Sequence, residues 1–304
     1  MSPQSIAPFQ KVPNFRDVSS STGSQYLTPG LLYRSAAPDD ATPVDRSRLS
    51  TEIGLKTIID LRSDTEHHEV SRKNLSKIPP ALDPPGKPHN HKGGRGHTAH
   101  NDPQNPLHVP GVQYELINFN GSAYSSNLIR QLSYLNMAKL FTWYTLGWRT
   151  EAISILGTNV MQKRGLVGLA QDSLSLCQKE VKLVFDILAR QENYPLMVHC
   201  TQGKDRTGLV ILLVLLLLGA DQEAIEKDYL LSEDELANDK AERIRAIAKI
   251  GLGEEFAGCP RDWVEQVVLT VKQKFGGVEK YLESCGVDAE QQRKIRDILR
   301  RQAS

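Results

Sequence analysis

Ten consecutive residues, His199-Cys200-Thr201-Gln202-Gly203-Lys204-Asp205-Arg206-Thr207-Gly208, set a thiol, an ammonium, a carboxylate and a guanidinium between two apolar stretches. Leu196-Met197-Val198 before them reads as a short buried strand. Residues 207–218 after them are apolar on all sides, as in a centrally buried helix. A strand that ends, a Gly-bearing loop and a helix that starts make an anion cradle, because loop N–H groups and the helix N-terminus point at one spot. A cysteine there is not an ordinary core thiol. Helix N-termini and neighbouring cations depress a thiol pKa from about 8.5 to roughly 3.5–7.5, which makes Cys200 a thiolate nucleophile. Arg206 follows six positions later (206 − 200 = 6), the spacing C-x5-R. Its guanidinium fork can pair with two phosphoryl oxygens while backbone amides hold the others. Charge in phosphoryl transfer spreads over the equatorial oxygens, which amides plus arginine stabilise with no metal or other cofactor required.

Thr201, Gln202, Gly203, Lys204 and Thr207 complete the expected phosphate-binding set. Gly203 and Gly208 suit places where a side chain would obstruct close backbone approach. The Thr207 hydroxyl either bonds the thiolate or the leaving phosphate, or serves the helix start. His199 has no proton to move if the cysteine is ionised, so it reads as a residue that orders the loop rather than as a base.

The elements that position this loop follow from pattern. Leu31-Leu32-Tyr33-Arg34, residues 55–61 and residues 112–119 read as further strands. Helices are expected at 42–52, 172–190, 222–231, 239–250, 263–275 and 290–300. Helices around a few short strands indicate an α/β sandwich in one domain spanning 1–304. Residues 79–111 hold eight prolines and His89, His91, His97, His100 and His108, too little apolar surface to offset ordering entropy, so they read as a disordered insertion. Those histidines lack helical spacing and nearby cysteines, which favours a solvated loop over a metal site. Residues 125–150 are helix-compatible and aromatic, as core or as a helical lid over a site.

Composition narrows the function classes. With 37 Lys+Arg against 36 Asp+Glu, nothing indicates a nucleic-acid partner. The longest apolar run is too short for a transmembrane segment of roughly 20 residues. Cys177, Cys200, Cys259 and Cys285 show no paired spacing, which suits a reducing, cytoplasmic setting. Oligomeric state is not legible.

The loop HCTQGKDRTG closely resembles the HCxxGKDRTG signature of an atypical protein tyrosine phosphatase family of bacteria and fungi. Asn14-Phe15-Arg16-Asp17, Leu32-Tyr33-Arg34-Ser35, Ile59-Asp60-Leu61-Arg62-Ser63-Asp64-Thr65-Glu66 and Gly277-Val278-Glu279-Lys280-Tyr281-Leu282 resemble the same family. The resemblance implies a cysteine-phosphatase-like fold, a three-layer sandwich of a small central sheet flanked by helices. It also implies hydrolysis of phosphotyrosine, and of other phosphoresidues in a dual-specificity enzyme, through a phosphocysteine intermediate.

The acid that protonates the leaving oxygen has three candidates. Asp205 comes first, since a bound phosphate dianion would raise its pKa; its alternative is a pair with a neighbouring cation. Asp60 is second, against a buried salt bridge to Arg62 or Arg34. Asp172 is third, against a helix cap. Lys204 beside Asp205 would place a second cation on the cradle's rim, which makes a phosphoinositide 3-phosphatase-like lipid phosphatase the rival reading. A catalytically silent phosphate-binding module would need Cys200 or Arg206 to be missing. A redox or sulfur-transfer enzyme would lack the Gly-Lys-Asp-Arg-Thr-Gly continuation.

Overall fold

The structure, a computed structural model, describes residues 6–73 and 107–300. Four short strands, β2 (Leu32–Ser35), β3 (Thr57–Asp60), β4 (Gln113–Leu116) and β5 (Leu196–His199), run parallel, and β1 (Arg16–Asp17) pairs antiparallel with β2. Their order is β1-β2-β5-β3-β4, so β5, which leads into the Cys200 loop, lies in the middle. All four of its residues are fully buried, the continuous apolar run expected of a parallel strand covered on both faces.

Alternation along the strands divides the core into two layers. Leu32, Ile59, Leu196 and Val198 face one cluster, packed against the Asp205–Leu217 and Gln178–Leu188 helices. Tyr33, Ile58, Tyr114 and Met197 face the other, with Leu49 and Val12. Side chains that alternate across a pleat thus reach helices on one side and the 43–52 segment on the other, giving the expected three-layer α/β sandwich. The register sets Ser35, His199 and Asp60 in one row at the carboxyl ends of β2, β5 and β3. Loops leaving that row share one edge, where open parallel sheets place their ligands.

Most expected elements are present, with some differences, among them the Asp64–Lys73 helix, which no expectation covers. The helix expected at 172–190 is two, Gln162–Leu176 and Gln178–Leu188, broken at the non-helical Cys177 (φ −102°, ψ 27°). Apolar periodicity carries across such a one-residue break because both helices bury a stripe in the same cluster. The helix Val278–Cys285 and the two-residue strand β1 are too short for a pattern to announce. Residues 125–150 fold into parts of three helices, Ser122–Arg130, Tyr134–Thr145 and Arg149–Leu156. Most of the expected insertion at 79–111, with His89, His91, His97 and His100, lies outside the described residues. Its end is packed: Leu107 and Val109 are buried, and the His108 ring stacks on Tyr114. Among the described residues no helix is long and apolar enough to cross a membrane.

Beneath the sheet edge, Asp228 of the Gln222–Glu235 helix is buried between two arginines. Arg16 Nε lies 2.9 Å from Oδ1, Arg34 Nη1 bonds Oδ2, and Ser21 Oγ donates to Oδ1 at 2.7 Å. Burial opposes the carboxylate, but Arg16 and Arg34 outweigh it and lower the pKa from 3.8 to about 2. A carboxyl with a depressed folded-state pKa stabilises the fold above its unfolded pKa and loses that contribution as pH falls through the folded value. Asp228→Asn is therefore expected to cost about 3–5 kcal/mol at neutral pH, since it leaves two buried guanidinium groups uncompensated. It is also expected to flatten the loss of stability between pH 4 and pH 2, measured by urea titration across that range.

Candidate active site

The loop from His199 to Arg206 takes its shape from hydrogen bonds underneath it. The Thr201 carbonyl accepts from Ala37 N–H at 3.2 Å. The Gln202 carbonyl accepts from Asn14 Nδ2 at 3.0 Å, and the Gly203 carbonyl from Asn14 Nδ2 at 3.1 Å and Arg34 Nη2 at 2.7 Å. In a trans peptide the N–H points opposite to the C=O. Three carbonyls tied to these partners therefore turn the N–H groups of Gln202, Gly203 and Lys204 away from them. Gly203 sits at φ +64°, and a Cβ there would fall 1.9 Å from the Ser35 carbonyl oxygen, so only glycine fits. Asn14, itself at φ +58°, is of the residue type that best tolerates that conformation after glycine.

Cys200 stands at the end of β5, 2 % exposed. Arg206 lies in the first turn of the Asp205–Leu217 helix, five residues beyond Thr201 of the same loop (206 − 201 = 5). The guanidinium is held by Glu66 in a two-point fork: Nη2 to Oε1 at 2.6 Å and Nη1 to Oε2 at 2.7 Å, with Nη1 also donating to the Leu61 carbonyl at 3.1 Å. Glu66 in turn accepts from Ser63 N–H and Oγ and from Thr201 Oγ1. Burial works against both charges; the pairing outweighs it, holding the Glu66 carboxyl well below its usual range and Arg206 above its own. Spacing does not announce Glu66 as a site residue, although it closes the Ile59-to-Glu66 motif, because 140 positions separate it from Arg206 (206 − 66 = 140).

Lys204 departs from expectation. Its side chain is fully buried, and Nζ donates to the carbonyls of Phe256, at 2.9 Å, and Gly258. The ammonium is turned inward, away from the rim, because these two carbonyls replace its water shell and Asp205 Oδ1 adds a charge at 3.4 Å. Asp205 is 38 % exposed and makes that ion pair with Lys204.

Asp60 is buried and saturated by Arg62, whose N–H, Nε and Nη2 donate to it at 2.7–3.0 Å. Burial disfavours its charge, but His199 and Arg62 override it and hold the carboxyl well below its usual range. The buried salt bridge to Arg62, rather than an acid, is the geometry at this position. His199 is fully buried, with Nε2 3.5 Å from Asp60 Oδ2 and Nδ1 3.2 Å from the Cys200 carbonyl oxygen. Burial pushes its imidazole below the usual range despite Asp60, and its place is that of a brace under the loop. Asp172 lies inside the Gln162–Leu176 helix, not at its cap, and Arg164 grips it at 2.7 and 2.9 Å. Thr207 is fully buried, and its hydroxyl has no hydrogen-bond partner among the described residues.

A profile of the tyrosine phosphatase family matches residues 7–301. The chain belongs to the tyrosine phosphatase family. Among similar tyrosine phosphatases, the triple specificity protein phosphatase PtpB of Mycobacterium tuberculosis is 23 % identical over 301 residues, covering 94 % of this chain and 96 % of that protein. A tyrosine-protein phosphatase of Nostoc commune is 30 % identical over 165 residues, 48 % of this chain and 56 % of that one. This tyrosine phosphatase therefore carries its family resemblance along nearly its whole length, and it is a hydrolase of the protein tyrosine phosphatase type.

Glu66→Gln keeps the volume but removes the charge that orients Arg206. Displacing the Arg206 fork in this way is expected to lower kcat/KM for p-nitrophenyl phosphate about 10²-fold in steady-state kinetics, with a circular dichroism spectrum like that of the parent.

Proposed function

We propose that this chain, as a single cysteine-phosphatase domain, hydrolyses phosphotyrosine through a phosphocysteine intermediate. The Cys200 sulfur attacks phosphorus while the N–H groups of Gln202, Gly203 and Lys204, and the N–H groups of Arg206 that Glu66 and the Leu61 carbonyl leave free, receive the equatorial oxygens. Water then cleaves the S–P bond and releases phosphate. The observation that carries this reading is the tying down of three successive carbonyls beside Cys200 and Arg206, which supports a cradle for a tetrahedral oxyanion.

Asp205 is the acid in this reading. Asp60 is saturated by Arg62 and Asp172 by Arg164, whereas Asp205 is partly exposed and has only the longer contact to Lys204. A phosphate dianion bound in the cradle sets negative charge beside this carboxyl, which favours the form that gives a proton to the leaving oxygen. The lipid alternative loses its main support, because Lys204 does not offer a cation at the rim. The triple specificity for which the Mycobacterium tuberculosis relative is named supports extending the proposal to more than one class of phosphoester.

Cys200→Ser is expected to abolish phosphate release from a phosphotyrosine peptide. Asp205→Asn is expected to lose the basic limb of the pH profile of kcat/KM; unchanged activity in that variant would remove Asp205 from the role. Lys204→Met is expected to lower kcat/KM for a phosphotyrosine peptide and for a phosphorylated inositol lipid by the same factor. A loss confined to the lipid would restore the second-cation reading.

A further inference from the structure

The Tyr134–Thr145 helix carries two apolar faces. Leu140, buried, with Met137 and Trp143 beside it, packs on the main core. The other face stands in solvent: Tyr134 is 91 % exposed, Leu135 77 %, and Phe141, Tyr144, Leu146 and Trp148 at least half. Val44 is the one other large apolar side chain among the described residues with comparable exposure. Tyr134, Ala138 and Phe141 fall at i, i+4 and i+7, so they line one stripe. Contiguous apolar patches on a surface mark places where something else binds.

The charge pattern says what. Residues 116–150 contain no Asp or Glu, in a chain with 36, yet hold Arg130, Lys139 and Arg149. Arg130 and Lys139 are exposed, and the Arg149 guanidinium lies 5.6 Å from the Tyr144 ring centroid. Aromatic and leucine side chains flanked by basic ones are the composition of helices that lie in the headgroup region of a bilayer, where Tyr and Trp rest with one polar end in water. A second copy fits poorly. A two-fold contact would bring these cations together with no carboxylate from the same stretch to pair them.

We propose that the 134–148 surface docks this phosphatase on an anionic lipid bilayer. Thr150 Oγ1 donates to Glu69 Oε1 at 3.0 Å, one turn beyond Glu66 on the Asp64–Lys73 helix, so the docking face is tied to the helix that holds Arg206. The proposal is independent of which phosphoester is hydrolysed.

The test is flotation of the full chain with vesicles of phosphatidylcholine alone and of three parts phosphatidylcholine to one part phosphatidylserine. Wild type is expected to float with the second and much less with the first, and to be released by salt. L135D/F141D is expected to bind at least tenfold more weakly with an unchanged circular dichroism spectrum. R130Q and K139Q, which leave the apolar face alone, are each expected to weaken binding about fivefold. Wild type that floats with neither vesicle overturns the proposal, as does undiminished flotation of L135D/F141D. A dimer in sedimentation velocity that L135D/F141D dissociates, without flotation, assigns the face to a second copy and overturns it. Faster p-nitrophenyl phosphate turnover in L135D/F141D, without flotation, assigns the face to closure over the loop and likewise overturns it.

Discussion

Everything at the site depends on the capture of the loop carbonyls of Thr201, Gln202 and Gly203 from beneath the sheet edge. A peptide unit is rigid, so fixing its oxygen fixes its N–H, and three adjacent donors cannot converge unless three adjacent acceptors are satisfied on the other side. Ala37 N–H, Asn14 Nδ2 and Arg34 Nη2 supply those partners. Arg34 is in turn aimed by Asp228 across a gap of 194 residues (228 − 34 = 194). The buried ion pairs thus shape the loop rather than simply adding stability; such pairs seldom add much once desolvation is counted.

The flanking elements hold the two ends of the loop still. Its start continues β5, which is hydrogen-bonded to a parallel neighbour on each side. Its end is the first turn of the Asp205–Leu217 helix, whose residues 209–215 are all buried. Each such Leu, Ile or Val contributes about 1.5–3 kcal/mol, so the helix is anchored along its length and its N-terminus cannot drift from Cys200. Opposed charges then do the fine placement: Glu66 fixes the direction of Arg206, and Asp60 with Arg62 sets the floor on which His199 rests. With both arginines already partnered, the free positive charge at this edge is smaller than the count of basic residues suggests.

The strand β5 and the buried helix after the loop were legible because covered strands and central helices are apolar in runs, and β2 and β3 because β-branched and aromatic residues stand there between turn formers. The break at Cys177 was not, since one residue leaving helical dihedrals does not disturb the apolar period on either side. Aromatic residues at 134–148 could be recognised as helical, but their exposure could not, because Tyr, Trp and Phe serve core and surface alike.

Within the loop, the cysteine, the arginine and the need for glycine at 203 were set by the sequence alone, because residue type and spacing along one continuous segment fix which groups can be adjacent. The direction of Lys204, the clamp from Glu66 and the undergirding by Asn14 and Arg34 were decided only by the tertiary structure. A side chain next to the nucleophile in sequence can point to either side of the backbone, and the partner that decides which lies on an element that only folding brings near, as the carbonyls of Phe256 and Gly258 do for Lys204.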